Sequence, residues 1–421
     1  MILPKPSPGA WLRRRLGRDA LDLALLSICL LGLIVFVIHG PYGWGDINLY
    51  HRYAMSFWTG PDAFRALPVE YPPLSLLVFT LSVLPPIQDF ASVYATWMAI
   101  IFVAGYFAFR RFSSPSRATA YAVYLLLGAT GALLGRYDLI PALLTVAALW
   151  AANRRRFMLA YLLLTVGALL KLYPLVLVPL LLIEHWRFLV THQRPWRAPL
   201  AKGVAMVAGL VAASFAVGFA LAGWNSLSTF AYASGRPLQV ESFGATLLWL
   251  GSFAGFPSVT EHGWNSYNLV GPLDGGIIAL LSASGLAALG WIYWRAWRGQ
   301  LELGRAFLAV VCVTLLSSKV FSPQYLIWVL PLVVETEGID ILWLLICGCT
   351  TVIFPILYVN DHIFGTPGPL PYTGGFLGTI AVRNFALLLA TIRVLRPRPA
   401  PATEEVREAA AREGSLSIAG D

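Results

Sequence analysis

Charged residues are scarce in this chain: they make up 12% of its 421 residues, whereas hydrophobic residues make up 58%. A soluble globular domain carries about 25% charged residues. The mean hydropathy of +0.70 agrees with this imbalance, and repeated apolar runs approach the roughly 20 residues needed to cross a hydrocarbon core of about 30 Å. The composition therefore excludes a soluble domain and predicts an all-α polytopic membrane protein. The short alternating segments of a membrane β-barrel are not present in the sequence.

Cysteine and histidine are also few, with four and six residues respectively. The four cysteines lie inside apolar runs, and Cys347 and Cys349 point to different faces of a helix because they are two residues apart. Asp361 with His362, and His51, fall in different predicted loops without the spacing of metal ligands. We therefore expect no disulfide, no metal site and no cofactor.

The net charge of +9 is carried by short basic clusters between apolar runs. Because no single basic face emerges, the sequence does not predict nucleic-acid binding. In membrane proteins such clusters mark cytoplasmic loops, so the chain must cross the bilayer an even number of times between them. The clusters are WLRRRLGR at 11–18, RRFSSPSR at 110–117, NRRR at 153–156, HWRFLVTHQRPWR at 185–197, RAWRGQLELGR at 295–305 and RVLRPR at 393–398.

This parity rule predicts about twelve transmembrane helices, with both termini in the cytoplasm. The apolar stretch 74–84 would be only about 17 Å long as a helix, too short to span. Two large outer loops, 40–88 and 223–272, therefore follow, each with short re-entrant or interfacial helices. The predicted spans lie near 21–39, 89–109, 118–134, 138–152, 157–170, 172–183, 200–222, 273–297, 304–318, 323–336, 339–358 and 376–394.

Two regions follow from this pattern. Residues 1–395 are predicted to form one integral membrane domain. Residues 396–421 are rich in proline, alanine and charge, a composition that cannot bury a core, so we expect a disordered cytoplasmic tail.

Most ionisable residues of the predicted membrane domain that lie outside the basic clusters fall on the predicted outer side, whereas the acidic stretch ETEGID at 335–340 falls in an inner loop. Arg136, Lys171 and Lys319 lie there at the outer ends of spans, against the positive-inside tendency. A lipid-linked phosphate would explain such cations, because arginine and lysine donate charge-assisted hydrogen bonds to it. Alternatively, each cation pairs with a neighbouring carboxylate, as Arg136 would with Asp138, and only stabilises the fold.

The stretch YGWGDINLYHRYA at 42–54 places Asp46 just after the first apolar run. Loops at membrane surfaces commonly carry polar residues and interfacial aromatics, which is one interpretation of this segment. The other is that Asp46 is a catalytic base that faces outward.

A set of motifs in a fixed order resembles glycosyltransferase family 87. After Asp46 come YPPL, GRYD followed by proline, LLKLYPLVLVPLLL, GRPLQVES and SKVFSPQYLIWVLPL. The resemblance covers most of residues 40–335. It implies a GT-C fold that moves a sugar, usually mannose, from a polyprenyl-phosphate donor to a hydroxyl of an envelope glycolipid or glycan. The reaction is inverting and takes place on the outer face of the plasma membrane.

Residue roles follow from the resemblance by position. Asp46 becomes the general base, which accepts the acceptor hydroxyl's proton as that hydroxyl attacks the anomeric carbon. Glu70 is expected to orient the acceptor or to act as a second acid. Lys171, Arg236 and Lys319, with Arg136 behind them, are expected to stabilise the departing phosphate. The expected sugar or acceptor partners are Gln239, Glu241, Gln324, Asp138 and His51. Asp138 also stands at a predicted helix start, where capping is its competing role.

Other functional classes remain as alternatives. A flippase for polyprenyl-phosphate lipids would share the cations but would not need Asp46. A solute transporter usually shows repeated halves and a site near the midplane, and the sequence shows no internal repeat. A scaffold protein whose polar loops bind a partner would not require lysines at the outer ends of its spans. Within the transferase class, mannose and a pentose such as arabinose present similar hydroxyls, and both stay open.

Overall fold

The computed structural model describes residues 45–358 and 375–397, together with residues 22, 24, 26, 27 and 29–35. The described chain is mostly helical. Its helices are α1 (Gly45–Thr59), α2 (Ser75–Phe79), α3 (Phe90–Phe112), α4 (Pro115–Gly128), α5 (Leu139–Asn153), α6 (Phe157–Leu170), α7 (Val178–Thr191), α8 (Arg197–Ala222), α9 (Ser228–Gly235), α10 (Phe243–Ser252), α11 (Asp274–Trp297), α12 (Leu303–Ser317), α13 (Leu326–Thr336), α14 (Ile341–Thr351) and α15 (Phe376–Leu395). Short 3₁₀ turns cover Thr80–Val83, Tyr173–Leu177, Gly223–Leu227 and Pro323–Tyr325, and a π-helical turn covers Val352–Leu357.

Within the described residues, five helical segments are long and apolar enough to cross a bilayer. They are Phe90–Phe112, Tyr173–Thr191, Arg197–Gly235, Asp274–Trp297 and Phe376–Leu395. Shorter apolar helices are Leu139–Asn153, Phe157–Leu170, Phe243–Ser252, Leu303–Ser317 and Ile341–Leu357. The chain is a multi-pass membrane protein, as its composition predicts, whereas the count of twelve spans stays a prediction. The predicted first span is described only in part, with residues 29–35 helical. Most of the predicted tail lies outside the described residues.

Burial separates central helices from lipid-facing ones. Nearly every residue of α12 and α13 is buried. In contrast, only 11% of the apolar window of α8 and of α11 is buried within the protein. Exposed leucine, valine and tryptophan side chains on these two helices fit a hydrocarbon surrounding rather than water. The core therefore lies around α12 and α13, with α8 and α11 at the periphery.

Prolines mark the breaks between helices that carry the predicted cations. α6 ends at Leu170, and Lys171 follows in an extended conformation before the 3₁₀ turn that contains Pro174. Similarly, α12 ends at Ser317, and the chain stays irregular until Pro323 begins the next helical turn. Proline is favoured in the first turn of a helix and disfavours helix in the residue before it. The sequence therefore places each lysine in a short break between two apolar helices.

Both predicted outer loops contain more regular structure than expected. The aspartate predicted in a loop, Asp46, lies in the first turn of α1. The short stretch 74–84 forms α2 and a 3₁₀ turn, in agreement with its predicted non-spanning length. The short apolar piece of the second loop forms α10.

The second outer loop contains a short β-hairpin that the all-α prediction did not include. Strands β1 (Val259–Gly263) and β2 (Ser266–Val270) form an antiparallel hairpin with Gly263 opposite Ser266. The two turn residues, Trp264 and Asn265, have φ of +58° and +53°, the geometry of a type I′ turn. Sequence analysis missed the hairpin because Trp-Asn is not the Asn-Gly pair that usually marks this turn.

Candidate active site

A cavity of about 510 Å³ collects side chains from segments far apart in the sequence. Eight of the candidate residues line it: Asp46, Glu70, Arg136, Lys171, Arg236, Gln239, Lys319 and Gln324. Its volume lies in the range of roughly 300–1,000 Å³ that is typical of small-molecule sites. The structure therefore brings two carboxylates, four cations and two amides to one place.

The predicted base, Asp46, lies in the first turn of α1, where the helix dipole favours a negative charge. Its carboxylate forms an ion pair with the guanidinium of Arg136. The Asp46 side chain is 22% exposed and the Arg136 side chain is 26% exposed, so the carboxylate is accessible from the cavity. The proposed alternative pairing of Arg136 with Asp138 is not the one the structure shows.

Lys171 is held by a buried carboxylate and by aromatic rings. Its Nζ donates to Oδ1 of the fully buried Asp138 at 2.5 Å. Nζ also lies 4.9–5.8 Å from the centroids of four rings, a distance suited to cation–π attraction. These rings belong to Tyr71, Tyr137, Tyr325 and Trp328. With 12% of its side chain exposed, Lys171 reaches the cavity but is already charge-paired.

Asp138 does not cap its helix. It occupies the N-cap position of α5, but its side chain makes no capping hydrogen bond. The carboxylate instead accepts from Lys171 and from Nε1 of Trp328, the latter at 2.5 Å. Asp138 therefore lies behind Lys171 without capping α5, and this position gives no support to the predicted sugar contact.

Two further cations lie at the wall formed by the second outer loop. Nζ of Lys319 donates to the carbonyl of Ser234 at 2.8 Å, and Nη2 of Arg236 donates to Oγ of Ser266 at 3.1 Å. Burial, and to a lesser degree the positive charge of Arg236, lower the pKa of Lys319. Two cations so placed repel each other, and an anion between them would relieve that repulsion.

The amide candidates lie on the segments that hold these cations. The backbone N–H of Gln239 donates to the carbonyl of Lys319 at 2.9 Å, which joins the two segments. The Gln239 side chain donates through Nε2 to Oγ of Ser322 at 2.6 Å. Gln324 also lines the cavity, from the 3₁₀ turn after Ser322.

Glu70 reaches the cavity from the segment before α2. The hydroxyl of Tyr53 donates to its carboxylate, and the N–H of Val69 donates to the Tyr53 hydroxyl at 3.3 Å. Tyr53 lies on α1, two turns after Asp46, so the same helix positions both cavity carboxylates.

Besides Asp138, two further candidates do not line the cavity. Glu241 is 1% exposed, and its carboxylate accepts from the Tyr358 hydroxyl at 2.5 Å. His51 lies parallel to the ring of Phe90, with ring centroids 3.9 Å apart. Their positions give no support to the predicted contacts of Glu241 and His51 with sugar or acceptor.

Sequence analysis missed several lining residues. Tyr325 and Trp328 follow Gln324 in SPQYLIW at a spacing of three, which places them on one helix face; this signal was available. Trp264, Asn265 and Ser266 at the hairpin tip also line the cavity. Their position depends on the hairpin, which no turn motif in the sequence indicates.

Among the described residues, no group of three or more His, Cys, Asp and Glu side chains forms a potential metal site. Asp361 and His362 lie outside these residues. The expectation that the protein works without a metal or cofactor stays a prediction.

Comparison with known proteins identifies the family to which the chain belongs. No curated protein matches the chain. The sequence profile of glycosyltransferase family 87 matches residues 70–323, more than half of the 421-residue chain. The matched range contains the four cavity cations and Glu70 but neither Asp46 nor Gln324. This multi-pass membrane protein, with its charged cavity, therefore belongs to glycosyltransferase family 87.

Proposed function

We propose that the protein transfers mannose from a polyprenyl-phosphate donor to a hydroxyl of an envelope glycolipid or glycan. Transfer inverts the anomeric centre and takes place on the outer face of the plasma membrane, with both termini in the cytoplasm. The observation that carries the proposal is the cavity in which Asp46 and Glu70 face four cations. Membership of a glycosyltransferase family supports the reaction class.

Asp46 acts as the general base. As the acceptor oxygen forms its bond to the anomeric carbon, the hydroxyl proton passes to the Asp46 carboxylate. The partly exposed position of this carboxylate at the cavity wall supports the role. Glu70, held by Tyr53, orients the acceptor hydroxyl.

The cations stabilise the leaving group. The bond between the anomeric carbon and the phosphate oxygen breaks with its electron pair on the polyprenyl phosphate, which gains negative charge. Preorganised cations aimed at developing charge are an effective source of transition-state stabilisation. Lys319 and Arg236 suit this role because neutral oxygens accept their hydrogen bonds, whereas Lys171 and Arg136 already have carboxylate partners.

The amides bind the sugar. Gln239 and Gln324 both line the cavity, and an amide can donate to one hydroxyl and accept from its neighbour. They lie next to the cation-bearing segments, as a sugar attached to the phosphate requires.

The first experiment measures radiolabelled mannose transferred from polyprenyl-phosphate-mannose in membranes that contain the wild type or the Asp46→Asn variant. A positioned base contributes about 10²–10⁴-fold to rate, so the variant should lose at least about 100-fold with unchanged expression and thermal stability. Asp62→Asn is the matched control, because Asp62 is an exposed aspartate of the same loop that does not line the cavity.

Two outcomes contradict the proposal at different levels. Near-normal transfer by Asp46→Asn removes this residue as the base. Absence of transfer by well-folded wild type, while the bare lipid phosphate still binds, instead favours another donor sugar or the flippase alternative.

A further inference from the structure

The tip of the β1–β2 hairpin forms part of the cavity wall. Trp264, Asn265 and Ser266 line the cavity there. Trp264 keeps 42% of its surface exposed, compared with 12% for the Lys171 side chain and none for that of Asp138. The Trp264 side chain is therefore more accessible than the buried Lys171–Asp138 pair.

The backbone at Trp264 is unfavourable for its side chain. Its φ of +58° lies in the left-handed region, which Asn and Gly enter readily and bulky aromatic residues rarely do. Asn or Gly at this position would form the same turn with less strain. Strain of this kind clusters at binding and catalytic sites, where the side chain serves a purpose other than stability.

Neighbouring groups fix the indole in place. The Tyr232 ring lies edge-on to it at 5.1 Å between centroids, and the Tyr232 hydroxyl donates to the Trp264 carbonyl at 3.1 Å. The indole also covers Gly235 so closely that a Cβ there would approach its Cη2 to 2.8 Å. The residues flanking Gly235 are Ser234, which accepts from Lys319, and Arg236. The ring is thus fixed beside the cations proposed for the phosphate.

From this geometry we infer that Trp264 is the stacking platform for a sugar ring of the acceptor, with Asn265 placed to bond its hydroxyls. A pyranose ring has an apolar face of C–H groups that packs on a flat aromatic surface, while its hydroxyls stay in polar contact. The acceptor is the substrate assigned here because the indole remains accessible, whereas the donor sugar is already proposed to bind Gln239 and Gln324. The inference rests on the proposed transferase function. It adds a carbohydrate subsite to it.

A first test detects binding without any transfer. The protein is labelled with 5-fluorotryptophan, and the ¹⁹F resonance missing in Trp264→Phe is assigned to Trp264. Octyl α-mannoside or octyl β-glucoside should shift this resonance, whereas an octyl ether of tetraethylene glycol, which has no sugar, should not. The resonance of Trp224, which is 77% exposed and does not line the cavity, is the internal control.

A second test separates acceptor binding from donor binding. The Trp264→Asn variant keeps a residue suited to the left-handed backbone and removes the indole, so the hairpin should fold and thermal stability should not fall. The acceptor KM for octyl α-mannoside should rise about tenfold, the size typical of losing an aromatic anchor. The donor KM should stay within about twofold. Trp264→Phe should give an intermediate KM, and Gly235→Ala should raise it by displacing the indole.

Each result bears on one proposal. A Trp264 resonance that neither glycoside shifts beyond the sugar-free ether, or an unchanged acceptor KM in Trp264→Asn, overturns the subsite. An equally large rise in acceptor KM in Trp224→Asn would indicate that the tryptophans act as general membrane anchors, and it would also overturn the subsite. If the wild type transfers no sugar but its Trp264 resonance responds specifically to glycosides, the proposed reaction fails while the carbohydrate subsite stands.

Discussion

Two lysines of the cavity, Lys171 and Lys319, are held in different ways. Lys171 has the buried carboxylate of Asp138 as its partner and aromatic rings around it. Lys319 donates to the neutral carbonyl of Ser234 and has the positive charge of Arg236 nearby. An incoming phosphate thus meets a compensated charge at Lys171 and two mutually repelling charges at Lys319 and Arg236. For this reason the second pair is the one proposed to bind the phosphate.

The depressed pKa of Lys319 predicts a pH dependence. A lysine is charged below its pKa, so lowering the pKa makes Lys319 lose its charge at a lower pH than an exposed lysine. The donor KM should be lowest at neutral pH, where Lys319 is charged. It should rise by about tenfold as the pH passes that pKa, because a charge-assisted hydrogen bond to the donor is lost. Arginine stays charged throughout, so Lys319→Arg should shift the rise in donor KM to higher pH. Superimposable pH profiles of donor KM would contradict this.

The Lys171–Asp138 pair predicts a stability effect that can be separated from function. Lys171→Met leaves the Asp138 carboxylate buried without its cation, which should cost about 3–5 kcal/mol and lower the Tm. Adding Asp138→Asn removes the stranded charge and keeps an oxygen that accepts from Nε1 of Trp328, so the double variant should recover most of the Tm. The donor KM of the double variant then reports on Lys171 alone. A raised donor KM means that Lys171 contacts the phosphate. A donor KM near that of the wild type means that the Lys171–Asp138 pair is purely structural.

At the scale of elements, α15 supports the cavity wall without reaching the cavity. Nη2 of its buried Arg383 donates to the carbonyl of Glu241 at 2.5 Å, and Asn384 donates to the same carbonyl at 3.2 Å. The Arg383 guanidinium also lies 4.0 Å from the ring centroid of Phe321. Glu241 and Phe321 belong to the segments that carry Arg236 and Lys319. One residue of α15 therefore braces both cation-bearing segments.

This arrangement predicts that Arg383 is a positioning residue for donor binding. Arg383→Met should raise the donor KM by about tenfold and leave the acceptor KM near its wild-type value. Arg383→Lys should restore part of the effect, because lysine keeps the charge but not the planar contact with Phe321. Arg393→Met is the control, since Arg393 lies on the same helix but pairs with Asp340 at 48% exposure. A lower Tm in Arg383→Met with unchanged donor KM would leave only a structural role.

At the scale of the whole molecule, two hydrogen bonds each link one described basic cluster to another. Arg154 donates to the carbonyl of Phe112 at 3.0 Å, and Arg305 donates to the carbonyl of Arg393 at 3.1 Å. These contacts join four clusters that the parity rule places on the same side of the membrane. The cavity is built from segments of the opposite predicted side. Which end faces the cytoplasm stays a prediction of the parity rule.

The sidedness itself predicts a labelling result. In a cysteine-free background, Asp62→Cys should react with a membrane-impermeant maleimide in intact cells, because Asp62 lies in the predicted outer loop and is exposed. Gln300→Cys is the matched variant, exposed in the predicted cytoplasmic loop, and should react only after the membrane is opened. The opposite pattern would place the cavity in the cytoplasm and overturn the proposed outer-face reaction.

The sequence by itself determined the membrane class, the positions of most apolar helices and the charged residues of the cavity. It could do so because these features depend on local properties: the transfer energy of an apolar run, the helix breaks at Pro174 and Pro323, and charges that interrupt such runs. The order of five motifs was enough to predict the family. None of this required knowledge of which segments touch.

Only the tertiary structure decided which charges pair and which side chains share the cavity. Arg136 is two residues from Asp138 in sequence yet pairs with Asp46, while Asp138 pairs with Lys171. Glu241 lies in a promising motif but turns inward to Tyr358 and α15, and Trp264 reaches the cavity on a hairpin. Ion pairing depends on distance in space and on burial, and a linear pattern specifies neither for segments that meet only in the folded protein.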